Sequence, residues 1–284
     1  MKANWWGLLG EPIRKRFGRL SDSEVWSGIP GSPTDHHTAP YAMTEEFAAV
    51  YRLHPLIPDE YRFFSLSDST VSHYKSFPDI QGNQTRSTID EVGIDNVWFS
   101  FGMAHPGQLT LGNFPRFLQE FRRVKRLPDG DREILDVAAL DIFRDRERGV
   151  PRYNAFRRML RMKPVKSFEA LNPEWAKKLH DLYRGDIEGL DLMVGLYAEE
   201  PPPGFAISDT AFRIFTLMAP RRLKSDRFFT ADFRPEVYTA LGLDWVQDND
   251  FTSVLLRHYP SLAPAIRGLE NAFLPWHNVH EPMR

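Results

Sequence analysis

The sequence lacks three things that would each point to a particular class of protein. It has no cysteine, which excludes disulfides, thiolate nucleophiles and cysteine ligands to a metal. It has no excess of basic charge, because 36 Lys and Arg face 38 Asp and Glu, so nucleic acid is not an expected partner. Its longest apolar runs fall far short of the roughly 20 residues that cross a bilayer, so no transmembrane segment is expected. Any metal must be held by His, Tyr or carboxylate side chains.

What the sequence does contain is typical of a globular protein. Of its 284 residues, 42% are hydrophobic and 26% are charged, which is enough apolar material for a sizeable core. No signal peptide is visible, because charges directly follow the short apolar patch at the start of the chain. We therefore predict a cytoplasmic protein, or one peripheral to membranes.

Apolar periodicity predicts a mainly α fold. Residues 1–40 are rich in Gly, Pro and Ser and predict an N-terminal loop, followed by a helical body over residues 41–284. The helices expected in that body are one from Thr44 to Pro55, one at 113–126, two within 131–162 separated at 149–151, and two at about 172–184 and 186–199.

Two further segments carry local signals. Ser208 can cap another helix, which Pro220 should kink or end. Residues 65–95 show little periodicity and predict loop or short helix.

Tyr51 and His54 form the first candidate site. Residues three apart lie on one face of a helix, so the two side chains could address one ligand together. They could equally be core residues whose polar atoms are satisfied by hydrogen bonds, and the spacing alone favours that reading.

The longer string EFAAVYRLHPLIPDEYRF, at residues 46–63, resembles the proximal-helix motif of cyclooxygenases and plant fatty-acid α-dioxygenases. Further segments resemble α-dioxygenases in the same order, namely KANWWGLLG, RDRERGVPRYNAFRR, KPVKSFEAL, EGLDLMVGLYAE, GFAISDTAF and RRLKSDRFFT. The resemblance covers nearly the whole chain. It implies the C-terminal part of a single animal-type haem peroxidase domain over residues 1–284, mainly α with long irregular loops.

The resemblance also implies roles for individual residues. His54 would be the proximal ligand of the iron of haem b, and Tyr51 would form the radical that attacks substrate. Imidazole suits an axial position on haem iron, and a neighbouring phenol can be oxidised there. Asp141 stands where related peroxidases have an Asn that accepts from the proximal His, and its alternative role is helix capping or an ion pair.

Three arginines complete the predicted site. By resemblance Arg144 would contact a haem propionate, although the charge run around it also suits a solvated helix face. Arg222, with Arg221 second, matches the cation that binds the fatty-acid carboxylate, although a helix C-terminus also favours cations without any ligand. Pro220 departs from the small polar residue expected before the pair and could shift the register of both arginines.

The predicted function is a haem-dependent fatty-acid α-dioxygenase acting on fatty acid, dioxygen and peroxide. The alternatives are a hydrogen-peroxide-dependent haem peroxidase for small substrates, and an inactive helical remnant or partner subunit. We expect the distal haem half, with its histidine, to lie outside this chain and to be supplied by another chain if the site is to work.

Overall fold

The computed structural model describes residues 44–126 and 132–279, so the loop predicted over 1–40 lies outside the described residues. The helices are α1 (Glu45–Val50), α2 (Phe77–Ile80), α3 (Gln84–Val92), α4 (Ile94–Met103), α5 (Arg116–Gln119), α6 (Val137–Glu147), α7 (Tyr153–Met159), α8 (Phe168–Leu171), α9 (Ala176–Leu182), α10 (Leu192–Ala198), α11 (Asp209–Ser225), α12 (Pro235–Asp248), α13 (Phe251–His258) and α14 (Ala263–Ile266). The strands are β1 (Glu60–Phe64), β2 (Val71–Ser76), β3 (Phe121–Arg126) and β4 (Arg132–Leu135), and short 3₁₀ turns cover His54–Leu56, Arg227–Phe229 and Pro260–Leu262.

The mainly α prediction is confirmed. The strands form antiparallel pairs, β1 with β2 and β3 with β4. Over residues 44–126 and 132–279, no helix is both long and apolar enough to span a membrane. The described residues divide into two compact units, unit 1 with 44–56, 108–114, 118–126 and 132–232, and unit 2 with 57–107, 115–117 and 233–279.

Unit 1 is built around the short helix α1. The Thr44 hydroxyl accepts a hydrogen bond from the Phe47 N–H at 3.4 Å, and acidic residues occupy the first turn, as the helix dipole favours. Phe47, Ala49 and Val50 are buried, and α1 packs against α6, α10 and α11. This packing, and not the length of α1, must hold the helix, since six residues are too few for a stable isolated helix.

Buried polar groups tie the rest of unit 1 together. Asp191 is 3% exposed and accepts from Arg146 at 2.6 Å, from Tyr183 at 2.9 Å and also from Arg152. Asn154 is fully buried and bridges to the backbone of Val165 with its amide nitrogen and oxygen. Both of these buried groups are paired, which offsets the cost of their desolvation.

Unit 2 has a core of its own in which the end of β1 and α4 meet the C-terminal helices. Its buried apolar residues are Phe99, Leu255, Leu262, Ala265, Ile266, Ala272 and Trp276. The Ser100 hydroxyl accepts from the Phe64 N–H at 2.7 Å, which fastens α4 to the end of β1.

Residues 65–95 were expected to be loop or short helix, which is confirmed for α2 and α3 but wrong for the strand β2. They include the second strand of a hairpin, whose turn places Ser69 at a φ of +59° and lets the Asp68 carboxylate accept from the Thr70 N–H at 3.0 Å. The turn therefore forms with Ser69 at a positive φ and Asp68 as a side-chain acceptor, without the Asn-Gly or Asp-Gly pair that is typical of tight hairpins.

The helix expected over residues 113–126 is also wrong. Only the single turn α5 forms, and the segment then continues as β3, in which Phe121 pairs with Leu135. Phe114 packs on His54 in unit 1, whereas Phe117 stacks on Phe77 in unit 2 at 4.2 Å. Their helical spacing therefore does not reflect a shared face.

Pro220 was expected to kink or end its helix. It does not end the helix, since α11 continues through it to Ser225, and the kink stays a prediction. A proline removes one backbone donor, which costs stability, yet packing of α11 against α1 can outweigh that loss. The Ser208 cap is confirmed, because its hydroxyl accepts from the Ala211 N–H at 3.4 Å.

Gly195 of α10 offers a test of this packing, because a Cβ added there would lie 2.3 Å from the Tyr153 ring. Gly195→Ala should lower the free energy of unfolding by roughly 2 to 3 kcal/mol, the usual cost of overpacking a core. Urea denaturation measures this. Gly242→Ala is the matched control, since its Cβ would meet nothing closer than 3.5 Å, and its stability should stay within about 1 kcal/mol of the parent. Equal stabilities for the two variants would contradict this description.

Candidate functional site

Tyr51 lies where α1 ends. Its N–H donates to the Phe47 carbonyl at 3.0 Å, and its ring lies 4.4 Å from the Phe47 ring and 5.8 Å from the Phe215 ring of α11. The side chain is nevertheless 49% exposed, so the aromatic contacts fix the ring while leaving part of it accessible. Partial burial raises the pKa of the Tyr51 phenol, which is therefore protonated at neutral pH.

His54 follows in the 3₁₀ turn His54–Leu56, with its ring 5.3 Å from that of Phe114. Its Nδ1 faces Oδ2 of Asp141 across 3.9 Å. Both atoms are buried, and neither has a hydrogen-bond partner within the described segments 44–126 and 132–279. Burial lowers the pKa of His54, with Asp141 acting in the opposite direction, so the neutral imidazole that binds metals is favoured.

Asp141 lies on the buried face of α6, the helix that packs directly against α1. Its Oδ1 accepts from the Nε of Arg52 at 2.9 Å, which leaves Oδ2 directed at His54. Burial raises the pKa of Asp141, and the charges of Arg52, His54 and Arg144 oppose that rise. The structure thus brings together the predicted ligand and its predicted partner at a distance slightly longer than a hydrogen bond.

Arg144 is already engaged. Its Nε and Nη2 donate to the two carboxylate oxygens of Glu45 at 3.0 and 3.1 Å, and Arg148 also donates to Glu45 at 3.1 Å. A fork of this kind suits a carboxylate of any origin. The predicted propionate contact would compete with Glu45 for the same edge of the guanidinium.

Arg222 lies near the end of α11, where it forms an i,i+4 pair with Asp226 at 3.3 Å. It follows Phe215 by seven residues, or two turns, so it shares the face of α11 that meets Tyr51 and lies roughly 10 Å further along the helix axis. The predicted side-chain role of Arg221 lies outside the described part of the chain, as does any effect of the Pro220 ring on it.

The sequence reasoning missed Arg52, Tyr197 and Asp145. Arg52 stands between the two predicted site residues, and its carbonyl accepts from the Tyr197 hydroxyl. Asp145 follows Asp141 by one helical turn and is 9% exposed. Burial and the neighbouring charge of Asp141 raise the pKa of Asp145 to about 6. The i,i+4 spacing of the two acids was a signal, but it lay inside a charge run that predicts a solvated face.

The donor set suits a metal-containing cofactor that takes one imidazole ligand. A buried imidazole whose Nδ1 faces a carboxylate can present Nε2 to a metal, and outer carboxylate partners of this type orient metal-bound histidines in many proteins. A half-exposed phenol three residues away belongs to the same segment. These are the features expected on the proximal side of a haem.

Comparison with known proteins agrees with this chemistry. The sequence model described as animal haem peroxidase matches residues 1–269. The chain belongs to the animal haem peroxidase family. Membership implies haem as the cofactor, and it confirms the predicted fold class.

The relatives include α-dioxygenases. Alpha-dioxygenase 1 of Arabidopsis thaliana is 41% identical over 289 residues, which covers 97% of this chain and 45% of the relative. The crystal structure of a fatty acid alpha-dioxygenase from Arabidopsis thaliana has a TM-score of 0.78 at 38% identity and covers 100% of this chain and 46% of that one.

A further solved structure is a tyrosine-to-phenylalanine variant of the Oryza sativa fatty acid alpha-dioxygenase with palmitic acid. It has a TM-score of 0.76 at 35% identity, covering 97% of this chain and 47% of that one. The chain thus spans about half the length of the relatives that it matches.

Asp145 gives a pH-dependent prediction. The pKa of Asp145 is about 6 in the folded protein and 3.8 ordinarily, so folding favours the protonated carboxyl group. The stability that this protonation gives is fully present below pH 3.8 and is lost as the pH rises through 6. Asp145→Asn removes this loss, so the variant should be more stable than the parent at pH 7.5 by roughly 2 to 3 kcal/mol, and the difference should shrink towards pH 4.

Urea unfolding at both pH values measures the effect of Asp145→Asn. Asp181→Asn is the control, because its exposed pair with Lys177 lowers the pKa of Asp181 and should give a small effect of the opposite sign. A pH-independent difference for Asp145→Asn would contradict the assignment.

Proposed function

We propose that this chain forms the proximal side of the haem b site of a fatty-acid α-dioxygenase, with His54 as the axial ligand. The observation that carries the proposal is the buried pair of unsatisfied atoms, His54 Nδ1 and Asp141 Oδ2, 3.9 Å apart. Two buried polar atoms without partners are costly, and an Nδ1–H donated to Oδ2 would satisfy both. That tautomer leaves the Nε2 lone pair for iron.

A haem held by His54, once oxidised by peroxide, would supply the oxidising power to remove one electron from the Tyr51 phenol as its proton leaves. Tyr51 is held by Phe47 and Phe215 while part of its ring stays accessible, which suits a side chain that must meet substrate. The Tyr51 phenoxyl oxygen then takes a hydrogen atom from C2 of the fatty acid, and dioxygen adds to the carbon radical. The peroxyl radical recovers a hydrogen atom from Tyr51, which gives the 2-hydroperoxy acid and restores the phenoxyl radical.

We assign Arg222 to the fatty-acid carboxylate. Its position two turns beyond Phe215 puts a cation on the same face of α11 as the ring that meets Tyr51. A carboxylate held near Tyr51 brings C2 to the phenol in preference to a mid-chain carbon, which is control of regiochemistry by positioning. The palmitic acid in the rice relative's structure supports this substrate class.

The site also needs a distal acid–base group and further substrate contacts. The relatives are about twice as long as this chain, and we propose that residues equivalent to their additional length complete the site. Those residues could belong to the same polypeptide or to another chain.

Tyr51→Phe tests the proposed chemistry. The assay uses the chain together with the residues that complete the site. The phenyl ring keeps the stack on Phe47 and Phe215 but has no O–H to oxidise, so oxygen uptake with palmitate should be lost while haem binding, read from the Soret band, stays unchanged. Tyr74→Phe is the matched control, because Tyr74 is 65% exposed and lies in unit 2, and it should behave as the parent.

Three results would contradict the proposal. Retained palmitate oxygenation in Tyr51→Phe would exclude Tyr51 as the radical site. Oxidation of small phenols by hydrogen peroxide, with no palmitate turnover in the parent, would favour the peroxidase alternative. Unchanged haem affinity in His54→Ala would exclude His54 as the ligand.

Arg222→Gln should raise the KM for palmitate about 10-fold or more and leave haem binding unchanged, because a charge-assisted contact to the carboxylate is lost. Steady-state oxygen uptake over a range of palmitate concentrations measures this. Arg213→Gln is the control on the same helix, since Arg213 makes a comparable i,i+4 pair with Asp209 at 2.8 Å. Equal KM values for the two variants would show that Arg222 does not bind the carboxylate.

A further inference from the structure

Arg52 is fixed at both ends. Its carbonyl accepts from the hydroxyl of Tyr197, a residue of α10, and its Nε donates to Oδ1 of Asp141 on α6 at 2.9 Å. The Arg52 side chain is 29% exposed and that of Asp141 is 10% exposed, so the ion pair is largely shielded from water. An arginine needed only for solubility would extend into solvent and would not be held in this way.

The geometry at Asp141 shows what Arg52 does there. A carboxylate has two equivalent oxygens, and without a constraint either of them could face His54, or neither. With Nε of Arg52 on Oδ1, the other oxygen is directed at His54 Nδ1. Arg52 also lies between Tyr51 and His54 in the chain. It is therefore joined to His54 through the backbone and to Asp141 through its side chain.

We propose that Arg52 is a positioning residue that orients the Asp141 carboxylate so that Oδ2 fixes the tautomer of His54, with the proton on Nδ1 and the lone pair on Nε2. Its use for haem rests on the proposed function, but the tautomer itself does not. In this role Arg52 acts through Asp141, the residue to which its Nε donates. The predicted chain of effects runs from the guanidinium to the carboxylate, and from the carboxylate to the imidazole.

The tautomer can be measured on the chain without haem. In ¹⁵N-histidine-labelled protein at pH 8, long-range ¹⁵N–¹H correlation spectra separate the two neutral tautomers, and His54→Gln assigns the His54 signals. The parent should show the Nδ1–H form. Arg52→Gln should show a mixture of tautomers or the Nε2–H form, and Arg52→Lys, which keeps the charge but not the planar fork, should lie between the two.

A double-variant cycle distinguishes this role from simple stabilisation. Asp141→Ala should change the tautomer as Arg52→Gln does, and the double variant should show no further change, because Arg52 acts through Asp141. Arg158→Gln is the matched control, since its pair with Glu188 is exposed, and it should leave the tautomer as in the parent. If Arg52→Gln fails to fold, as judged by circular dichroism, Arg52→Lys and Asp141→Ala still decide the proposal.

The rate of haem release is the second readout, and it is measured by the transfer of haem to apomyoglobin. Loss of an outer partner of a metal-bound histidine typically weakens metal binding by roughly 10- to 100-fold, so Arg52→Gln should speed haem release by about that factor. An unchanged tautomer in Arg52→Gln and Asp141→Ala would overturn the inference about Arg52 and leave the proposed function standing. A parent with the Nδ1–H tautomer but no haem binding through His54 would overturn the proposed function and leave the inference standing.

Discussion

The buried carboxylate of Asp141 is the constraint on which the candidate site depends. An ionised carboxylate with little exposure must be paired, and Arg52 supplies that pairing through Oδ1 at 2.9 Å. Because Arg52 directly follows Tyr51 and precedes His54 by two residues, the ion pair holds the end of α1 against α6. The remaining oxygen, 3.9 Å from His54 Nδ1, is then available to orient the imidazole. One electrostatic requirement thus joins local backbone geometry to the chemistry expected of a haem ligand.

The other constraint is apolar. α1 is only six residues long and persists because Phe47, Ala49 and Val50 are buried between α6, α10 and α11. The same packing brings Phe215 of α11 against the Tyr51 ring at 5.8 Å. Helix α11 therefore links the accessible phenol with Arg222, two turns away, within one compact unit. The proposed fatty-acid site would need this fixed distance between the phenol that reacts and the arginine that holds the carboxylate.

Local signals in the sequence predicted features that depend on neighbouring residues, such as the Thr44 cap of α1. The expected helix from Thr44 to Pro55, with Tyr51 and His54 on one face, was wrong, because α1 ends at Val50 and His54 lies in a separate 3₁₀ turn. Local signals also failed where tertiary contacts decide. Pro220 does not end α11, because packing outweighs one lost donor, and Ser69 makes a hairpin turn that no Asn-Gly pair announces. Asp145 looked like part of a solvated charge run, yet the fold buries it beside Asp141 and raises its pKa. Burial of a charge is set by partners that are remote in sequence, so spacing alone could not reveal it.

We propose above all that Asp141 and His54 form the proximal side of a haem site. A crystal structure of the chain with haem tests it most directly, through the distance between His54 Nδ1 and Asp141 Oδ2 and the identity of the atom on iron. We expect iron on His54 Nε2 and a contraction of the Nδ1–Oδ2 distance from 3.9 Å to a hydrogen bond of about 3 Å. Iron bound by another residue, or an Asp141 carboxylate turned away from His54, would contradict the account.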